Sequence, residues 1–528
     1  MPATNAVTKK LHCSCRRTAA YASPGTARAF NRYLRLRCQL RRLPVAGPTS
    51  WRIEQAARAS LIVDADAYFQ LCRSAMLKAR RRIMLVGWDF DARIELTRQR
   101  LPGEPRTLGE FVLWLVRQRP ELEVFLLRWD VGALRTLLRG TTAYTLAKWM
   151  LHRRIHTRLD HASALGASHH HKIVVIDDAV AFCGGIDMTT NRWDTPQHLD
   201  DDPRRMWGGS IYAPWHDTIM AVEGAAAAAL GELARERWQA AGGGTLPPVK
   251  AEGDCWPDGL GVQFKDVRVS IARTNPVGPI YEIENAYLDM VNRAQRFLYA
   301  ECQYFASRRI AEAMARRLAA DDAPEIVLMN PESSHGWLEP IAMDTTRARL
   351  FEAVRRHDKH GRLRIYHPYT SSGAPIYLHA KMTFVDDQVF HVGSSNMNNR
   401  SLRLDTECDL LIDAAVPGNE HAAPTIAQLR NSLLAEHLGV EPAEVACRLA
   451  ETGSLIATVE ALRDSRRRSV GPYEVPRPSD VEKWLADHEV LDPEHPDETF
   501  EVFSRRTLFR GGLGARRRGM APTGWFRR

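Results

Sequence analysis

The chain has 528 residues, of which 45% are hydrophobic and 26% charged, proportions typical of a folded globular protein of two or three domains. They exclude disordered and fibrous proteins, and no apolar run approaches the roughly 18 residues needed to cross a bilayer. Nine cysteines without CxxC spacing indicate neither a disulfide framework nor a zinc module, and they fit a reducing compartment.

The net charge of +9 is concentrated at the two ends of the chain. Residues 1–53 contain 11 Lys and Arg and no acid, and residues 505–528 contain 8 Arg and no acid. The remaining 53 basic residues are outnumbered by 63 acidic ones, so the body carries a charge of −10. An acidic body argues against a nucleic-acid-binding protein, whereas basic ends favour contact with an anionic surface.

The N-terminal segment lacks the apolar core of a secretory signal peptide. It is predicted to be a disordered basic arm, although its Arg-rich, acid-free composition is also typical of a transit peptide. Beyond this arm, Phe69 and Met76 lie at helical spacing, and the apolar run 83–88 predicts a buried strand. A helix over 108–119 and a strand over 122–129 repeat the order, which is typical of α/β layers.

A segment rich in Gly and Pro divides the body in two, and the same order of helices and strands recurs after it. The predicted organisation is a basic arm (1–53), a first lobe (54–240), a linker (241–259), a second lobe (260–444) and a C-terminal extension with a basic tail (445–528).

The strongest repeat places a His-x-Lys-x4-Asp motif in each half. HHKIVVIDDAVAFCGGIDM, from His170, aligns without gaps to HAKMTFVDDQVFHVGSSNM, from His379, with seven of 19 positions identical. Each copy predicts a strand, an Asp-Asp turn and a return strand. His170 and Lys172 then share one face, as do His379 and Lys381.

Two His-Lys pairs brought together across a pseudo-twofold axis suit displacement at a phosphodiester. One imidazole can attack phosphorus while the other protonates the leaving alcohol, and two ammonium groups neutralise the phosphate oxygens. The attacking imidazole must be neutral and needs a carboxylate at its other nitrogen. This chemistry requires no metal and no cofactor, and none is predicted.

These motifs resemble the phospholipase D superfamily, whose signature is a duplicated HxKx4D motif. The blocks GGIDMTTNRWD, APWHDTIMAVEG, AECQYF and GSSNMNNRSLRLDTECDL are most similar to phosphatidylcholine-type phospholipases D, over about residues 55–440. The resemblance implies an α/β fold in which two similar α/β/α-sandwich lobes are related by a pseudo-twofold axis and share one active site.

The resemblance also implies a role for each motif residue. His170 is the expected nucleophile, which would form a phosphohistidine, and His379 is the expected acid and later base. Lys172 and Lys381 would hold the phosphate. The expected catalytic set is His170, Lys172, Asp177, His379, Lys381 and Asp386, in which the two aspartates mainly brace their loops.

Four further residues are expected to support the site. Family members orient the two histidines through downstream carboxylates, which map here to Asp194 and Glu407. Ser394 and Asn396 are expected to bind phosphate, although the first copy carries Gly and Asp at the matching positions.

Other histidines and aromatic residues have plainer interpretations. His169, His170 and His171 do not predict a metal site, because only the first and third share a face of a strand. His198 is expected at the surface. The Trp-His-Asp sequence at 215–217 is interpreted as core and capping residues of the following helix.

The leading functional hypothesis is a monomeric phospholipase D that acts on membrane phospholipids, with water or an alcohol as acceptor and phosphatidic acid as the hydrolysis product. A cardiolipin synthase-type transferase is the nearest alternative, although such relatives usually carry N-terminal membrane helices. The acidic body disfavours a nucleic-acid phosphodiesterase, and the two intact motifs disfavour a catalytically dead scaffold. The expected location is cytoplasmic and peripheral to an anionic membrane that the basic ends contact, without a signal peptide or transmembrane helix.

Overall fold

The computed structural model of the chain describes residues 48–98, 103–129, 148–160, 167–250, 252–334 and 343–475. The basic C-terminal tail lies outside these residues, as does the predicted N-terminal arm apart from its last six positions. In the described segments, no helix combines the length and apolar character needed to span a membrane.

The described part of the first half alternates strands with helices. The strands are β1 (Arg52–Val63), β2 (Arg82–Gly87), β3 (Glu123–Trp129), β4 (Ile155–Asp160), β5 (Ile173–Ile176), β6 (Val180–Gly184), β7 (Met206–Trp207), β8 (Ser210–Ile211), β9 (Trp215–His216) and β10 (Thr218–Gly224). The helices are α1 (Ala65–Lys78), α2 (Leu108–Gln118) and α3 (Ala225–Ala240). The alternation predicted at the start of the body is confirmed.

The second half repeats this arrangement and adds helices at its C-terminal end. The strands are β11 (Phe264–Asn275), β12 (Ile280–Tyr281), β13 (Phe297–Glu301), β14 (Glu325–Met329), β15 (Leu363–Tyr369), β16 (Tyr377–Leu378), β17 (Met382–Val385), β18 (Val389–Gly393), β19 (Glu407–Asp413) and β20 (Ser469–Pro472). The helices are α4 (Glu282–Arg293), α5 (Arg308–Leu318), α6 (Thr345–Arg355), α7 (Ala423–Leu438), α8 (Pro442–Thr452) and α9 (Leu455–Leu462).

Among the described residues, sixteen strands form one mixed sheet in which the two halves have the same strand order. From the centre outward, the first half runs β1, β10, β6, β5, β2, β3, β4, and the second runs β11, β19, β18, β17, β13, β14, β15. β1 and β11 pair antiparallel at the centre. The structure confirms the predicted pair of similar α/β lobes, which are joined through one continuous sheet.

Alternating strand residues separate the hydrophobic core into layers. Met84 faces a core that both halves share, whereas Ile83 and Leu85 face a second core with α1 and α2. In the second half, Tyr299 faces the shared core and Leu298 faces a third core with α4 and α5. Across the shared core, β6 and β10 pack near β18 and β19. The strands that carry the two motifs therefore lie on either side of one interface.

Helix α2 illustrates how local sequence positions these layers. It begins with a capping box, in which the Thr107 side chain accepts the backbone N–H of Glu110 and the Glu110 carboxylate accepts that of Thr107. Phe111, Val112 and Leu115 then form the buried stripe of the helix.

An Asp-Asp turn joins the two strands of each motif. Asp177 and Asp178 both have φ of 51°, and Asp386 and Asp387 have φ of 50° and 58°. Aspartate enters this left-handed region more readily than most residues. β5 pairs antiparallel with β6, and β17 with β18, so the predicted strand-turn-strand units are confirmed.

Part of the C-terminal extension belongs to the folded body. Val445 of α8 and Leu455 and Val459 of α9 are buried in the shared core. β20 pairs antiparallel with β15 and forms one edge of the sheet. The extension therefore continues the second half as far as the described chain reaches.

Candidate active site

The two motif histidines lie at the junction of the halves, and each is hydrogen-bonded to the backbone of the other half. The backbone N–H of His170 donates to the carbonyl of Thr406 (3.0 Å), and that of His379 donates to the carbonyl of His216 (2.8 Å). These bonds hold the segment before β5 beside the start of β19, and the segment before β17 beside the start of β10. Both halves therefore contribute backbone to one site.

A buried carboxylate from the opposite half contacts each histidine. Nδ1 of His170 lies 2.9 and 3.0 Å from the two carboxylate oxygens of Glu407, and Nδ1 of His379 lies 2.7 Å from Oδ2 of Asp217. Burial raises the pKa of both carboxyl groups. Because Nδ1 is engaged in each ring, Nε2 is left as the reactive nitrogen.

Asp217 and Glu407 occupy equivalent positions in the two halves of the sheet, because β10 pairs with β6 in the same register as β19 pairs with β18. Their spacing along the chain differs, because Asp217 follows His170 by 47 residues whereas Glu407 follows His379 by 28. The first half has a connection 19 residues longer. A constant offset between the halves therefore does not lead from Glu407 to Asp217. The interpretation of Asp217 as a core or capping residue of a following helix is wrong, because strand β10 begins at the next residue.

The surroundings of the two carboxylates are not symmetric. The hydroxyl of Ser394 donates to Oε2 of Glu407 (2.5 Å). Gly185, at the matching position of the first half, leaves room for Asp217, since a Cβ there would lie 2.1 Å from its Oδ1. The hydroxyl proton of Ser394 is therefore used to hold Glu407, and the expected binding of phosphate by Ser394 stays a prediction.

The two motif lysines also have different partners. Nζ of Lys172 lies 3.3 Å from Oδ2 of Asp187, whereas Nζ of Lys381 donates to Oε1 of Gln303 (3.3 Å). Asn396 matches Asp187 in the repeat, and its Nδ2 donates to the same oxygen of Gln303 (3.4 Å). Asn396 thus supports the amide that contacts Lys381, a contact that the sequence did not predict.

The electrostatic environment favours neutral imidazoles in the resting site. Burial lowers the pKa of His170 well below its usual range, and the charges of Lys172 and Lys381 lower it further. Burial likewise lowers the pKa of His379, with further contributions from Lys381 and Arg192. The lysine of the other half also lowers the pKa of each histidine, which indicates that the two pairs lie in one site. A nucleophilic imidazole must be neutral, and this environment favours that form.

The pKa of Lys381 predicts a loss of activity at alkaline pH. Burial and the charge of Lys172 lower this pKa to about 8, against the opposing influence of Asp217. The ammonium loses its charge as pH rises through this value, so we expect kcat/KM to fall above pH 8 by about tenfold per unit. In Lys381→Arg, activity should be lower but this inflection should disappear, because a guanidinium stays charged. An unchanged inflection in that variant would contradict the assignment.

The motif aspartates do not reach the histidines. Asp177 accepts the backbone N–H groups of residues 80–82, and Asp386 accepts those of residues 295–297, all at 2.6–2.9 Å. At about 3.3 Å per residue along β5, Asp177 lies about 16 Å from Lys172. These contacts correct the inclusion of the aspartates in the catalytic set and agree with the expected bracing role.

Asp194 contacts neither motif histidine, contrary to the sequence-based expectation. Its Oδ2 lies 2.9 Å from Nδ1 of His198 and accepts the backbone N–H of Trp215 (2.9 Å). Burial acts to raise the pKa of Asp194, but the hydrogen bonds from His198 and Trp215 hold it below its usual value. Asp194 instead fixes Trp215, whose ring lies 5.1 Å from that of His379.

A second cluster of ionisable groups lies next to Asp217, on the side of its backbone N–H. His198 is buried and not exposed as expected, and its Nε2 lies 3.2 Å from Glu436 and 3.6 Å from Asp64. Nδ1 of His216 lies 2.9 Å from Glu436 and 3.4 Å from Asp64. The sequence did not predict this network of ion pairs, and a group of two imidazoles and two carboxylates could also hold a divalent cation. Asp64 also accepts the backbone N–H of Asp217 (3.1 Å), which joins the cluster to the site.

His169 and His171 lie together, as the strand pattern predicted. Their Nδ1 atoms are 3.4 Å apart and their rings 4.8 Å apart. Nδ1 of His169 also lies 3.1 Å from Oδ2 of Asp160. His170 alone of the three is held by Glu407 in the active site.

Family models match both halves of the chain. A phospholipase D model matches residues 75–275, and a model described as cardiolipin synthase, PLD-like domain, matches residues 287–431. Each match contains one copy of the His-x-Lys-x4-Asp motif with its adjoining strands.

Named relatives are similar at low sequence identity. Phospholipase D1 of Schizosaccharomyces pombe is 24% identical over 381 residues, which cover 53% of this chain and 28% of the relative. Cardiolipin synthase A of Pseudomonas putida is 28% identical over 242 residues, which cover 46% of this chain and 43% of the relative. The chain spans less than half the length of these two curated relatives.

A solved structure has the same fold. Phosphatidylserine synthase from Haemophilus influenzae Rd KW20 superposes with a TM-score of 0.50 at 13% identity, over 81% of this chain and 98% of that one. The duplicated motif, the matching strand order of the two halves and the family models over both of them agree with this likeness. The chain therefore belongs to the phospholipase D superfamily.

Proposed function

We propose that the protein is a phospholipase D-type phosphodiesterase and phosphatidyl transferase, which cleaves the head-group phosphodiester of phospholipids through a phosphohistidine. The proposal depends above all on the two His-Lys pairs, in which each imidazole is held at Nδ1 by a buried carboxylate from the opposite half. Relatives named phospholipase D and cardiolipin synthase support a phospholipid as the substrate.

In the first step, Nε2 of His170 attacks phosphorus, and the bond between phosphorus and the head-group oxygen breaks. Lys172 and Lys381 neutralise the phosphate oxygens. The bound phosphate also offsets the positive charges that lower the pKa of His379. Nε2 of this ring therefore takes up a proton from solvent when substrate binds, and the leaving oxygen takes that proton as the bond to phosphorus breaks.

In the second step, water or an alcohol attacks the phosphohistidine. Nε2 of His379 takes the proton of the attacking hydroxyl, and the bond between phosphorus and His170 breaks. Water yields phosphatidic acid, and an alcohol yields a new phosphodiester. His170 is then free again, and His379 carries at Nε2 a proton that it can give to the next leaving oxygen or release to solvent when the product leaves.

Product analysis tests this proposal. The full chain would be incubated with phosphatidylcholine, phosphatidylglycerol and ethanol, and the lipid products separated. We expect phosphatidic acid together with phosphatidylethanol, because a phosphohistidine partitions between water and an added alcohol. No phospholipid product from either lipid would refute the function.

A cardiolipin synthase-type transferase is the second candidate. The family model that matches the second half carries that description, and a cardiolipin synthase is among the relatives. In the same incubation, cardiolipin formed from phosphatidylglycerol in preference to phosphatidylethanol and phosphatidic acid would favour this candidate.

We also propose that the basic ends of the chain attract it to anionic membranes. Each base near such a surface contributes about 1 kcal/mol, and salt screens this attraction. Deleting residues 1–50 and 505–528 should therefore weaken binding to anionic vesicles at low salt, and unchanged binding would contradict the proposal.

A further inference from the structure

The long connection of the first half carries an exposed hairpin. Within the described chain, β7 and β8 pair only with each other, and they are joined at Gly208 and Gly209, whose φ values of 61° and 87° form the turn. Met206 and Ile211, which pair across this hairpin, are 52% and 45% exposed. Both of these aliphatic side chains are therefore largely exposed to solvent.

The hairpin lies in the connection that leads from the first motif to Trp215, and it contacts the loop that follows β2. The guanidinium of Arg93 lies 4.6 Å from the ring centroid of Trp207. Trp88, five residues earlier in the same loop, has its ring 6.3 Å from that of His170. On the other side, the chain runs from β8 to Trp215, beside His379.

The base of the hairpin is rigidly held. The hydroxyl of Tyr212 donates to the carbonyl of Trp193 (2.8 Å), and Arg205 donates to the carbonyl of Tyr212 (3.2 Å) and to Asp194 (3.3 Å). Arg205 directly precedes β7 and Tyr212 directly follows β8, so these contacts fix both ends of the hairpin and the orientation of its exposed apolar side chains.

The composition of this surface fits the interface of a lipid bilayer. Leu199, in the same connection, is 51% exposed, and Arg98 is exposed with its guanidinium 4.4 Å from the ring of Trp193. Apolar side chains flanked by Trp and Arg suit the boundary between acyl chains and head groups. Asp201 is exposed in the same connection, so this surface carries charges of both signs beside its apolar side chains.

We propose that the β7–β8 hairpin inserts Met206 and Ile211 into a phospholipid bilayer and so holds the active site over the head groups. This inference rests on the proposed function and identifies the bilayer surface as the partner of the same site. Insertion differs from attraction by the basic ends, because apolar burial persists in salt that screens charges.

The test uses Met206→Ser/Ile211→Ser in the full chain and vesicles of phosphatidylcholine and phosphatidylglycerol at high salt. We expect vesicle binding and turnover of vesicle lipid to fall by at least about tenfold, since each buried methylene strengthens membrane binding about fourfold. Turnover of a short-chain lipid below its micellar concentration should stay within about twofold, because the catalytic groups are unchanged.

Met150→Ser/Leu151→Ser provides a matched control. These residues are 72% and 88% exposed, and they precede β4, at the opposite end of the parallel strands from Trp88 and Trp129. The proposal is supported if the hairpin variant binds vesicles poorly at an unchanged Tm while this control variant binds them normally. Equal loss in both variants, or no loss in the hairpin variant, would overturn it. If the wild type turns over no phospholipid, the proposed function fails, and the vesicle-binding comparison still decides the insertion.

Discussion

His170→Ala is expected to reduce phosphodiester turnover by at least about a thousandfold, because the variant cannot form the phosphohistidine. His379→Ala is expected to lose a similar amount of activity on phospholipids, but for a different reason. It retains the nucleophile and lacks the acid, so it should still react with a substrate whose leaving group needs no proton.

A p-nitrophenyl phosphodiester with a labelled phosphoryl group separates the two roles. His379→Ala should release p-nitrophenolate in one burst and retain the label on the protein, since no base activates water for the second step. His170→Ala should do neither. Label on His170→Ala and none on His379→Ala would reverse the assignment of nucleophile and acid. Equal melting temperatures for both variants and the wild type would exclude loss of folding as the cause.

Asp217→Asn and Glu407→Gln are expected to lower kcat by about a hundredfold to ten-thousandfold. In the native site, each carboxylate accepts a proton held at Nδ1, so Nε2 has a free electron pair. An amide can instead donate to Nδ1, which moves the ring proton to Nε2. His170 could then no longer attack, and His379 could no longer accept the proton of water.

Asp194→Asn distinguishes this arrangement from the one that the sequence suggested. Asp194 contacts His198 and the backbone of Trp215, so the variant should lose stability while its kcat falls by less than about tenfold. Steady-state kinetics and thermal unfolding on the three variants provide the comparison. A loss of kcat for Asp194→Asn as large as that for Asp217→Asn, at an unchanged Tm, would contradict the roles assigned from the structure.

The duplicated halves and the His-Lys pairs could be predicted because they follow from local patterns. Strand periodicity, the Asp-Asp turns and the constant spacing of the motif all lie within 19 consecutive residues of each copy. The acidic body was also evident from charge counting alone. Such features depend on the order of residues and not on how distant segments pack.

The orienting carboxylates depended on packing between the halves. Glu407 was found through a resemblance, and the structure places it beside His170, which belongs to the other half. The resemblance pointed to Asp194 in place of Asp217. The connection before Asp217 is 19 residues longer than its counterpart, so no constant spacing leads from Glu407 to it. The burial of His198 among Asp64, Asp194 and Glu436 was likewise not evident, since these residues come from distant parts of the chain.

The sequence by itself therefore determined the two-lobed α/β organisation, the paired motifs and the phosphodiester chemistry that they favour. Tertiary structure decided which carboxylate orients each histidine, that Ser394 supports Glu407, and that the longer connection presents an exposed hairpin. The physical reason is that a strand register fixes which residues of two distant segments meet. Spacing along the chain cannot supply that information when one copy of a repeat carries an insertion.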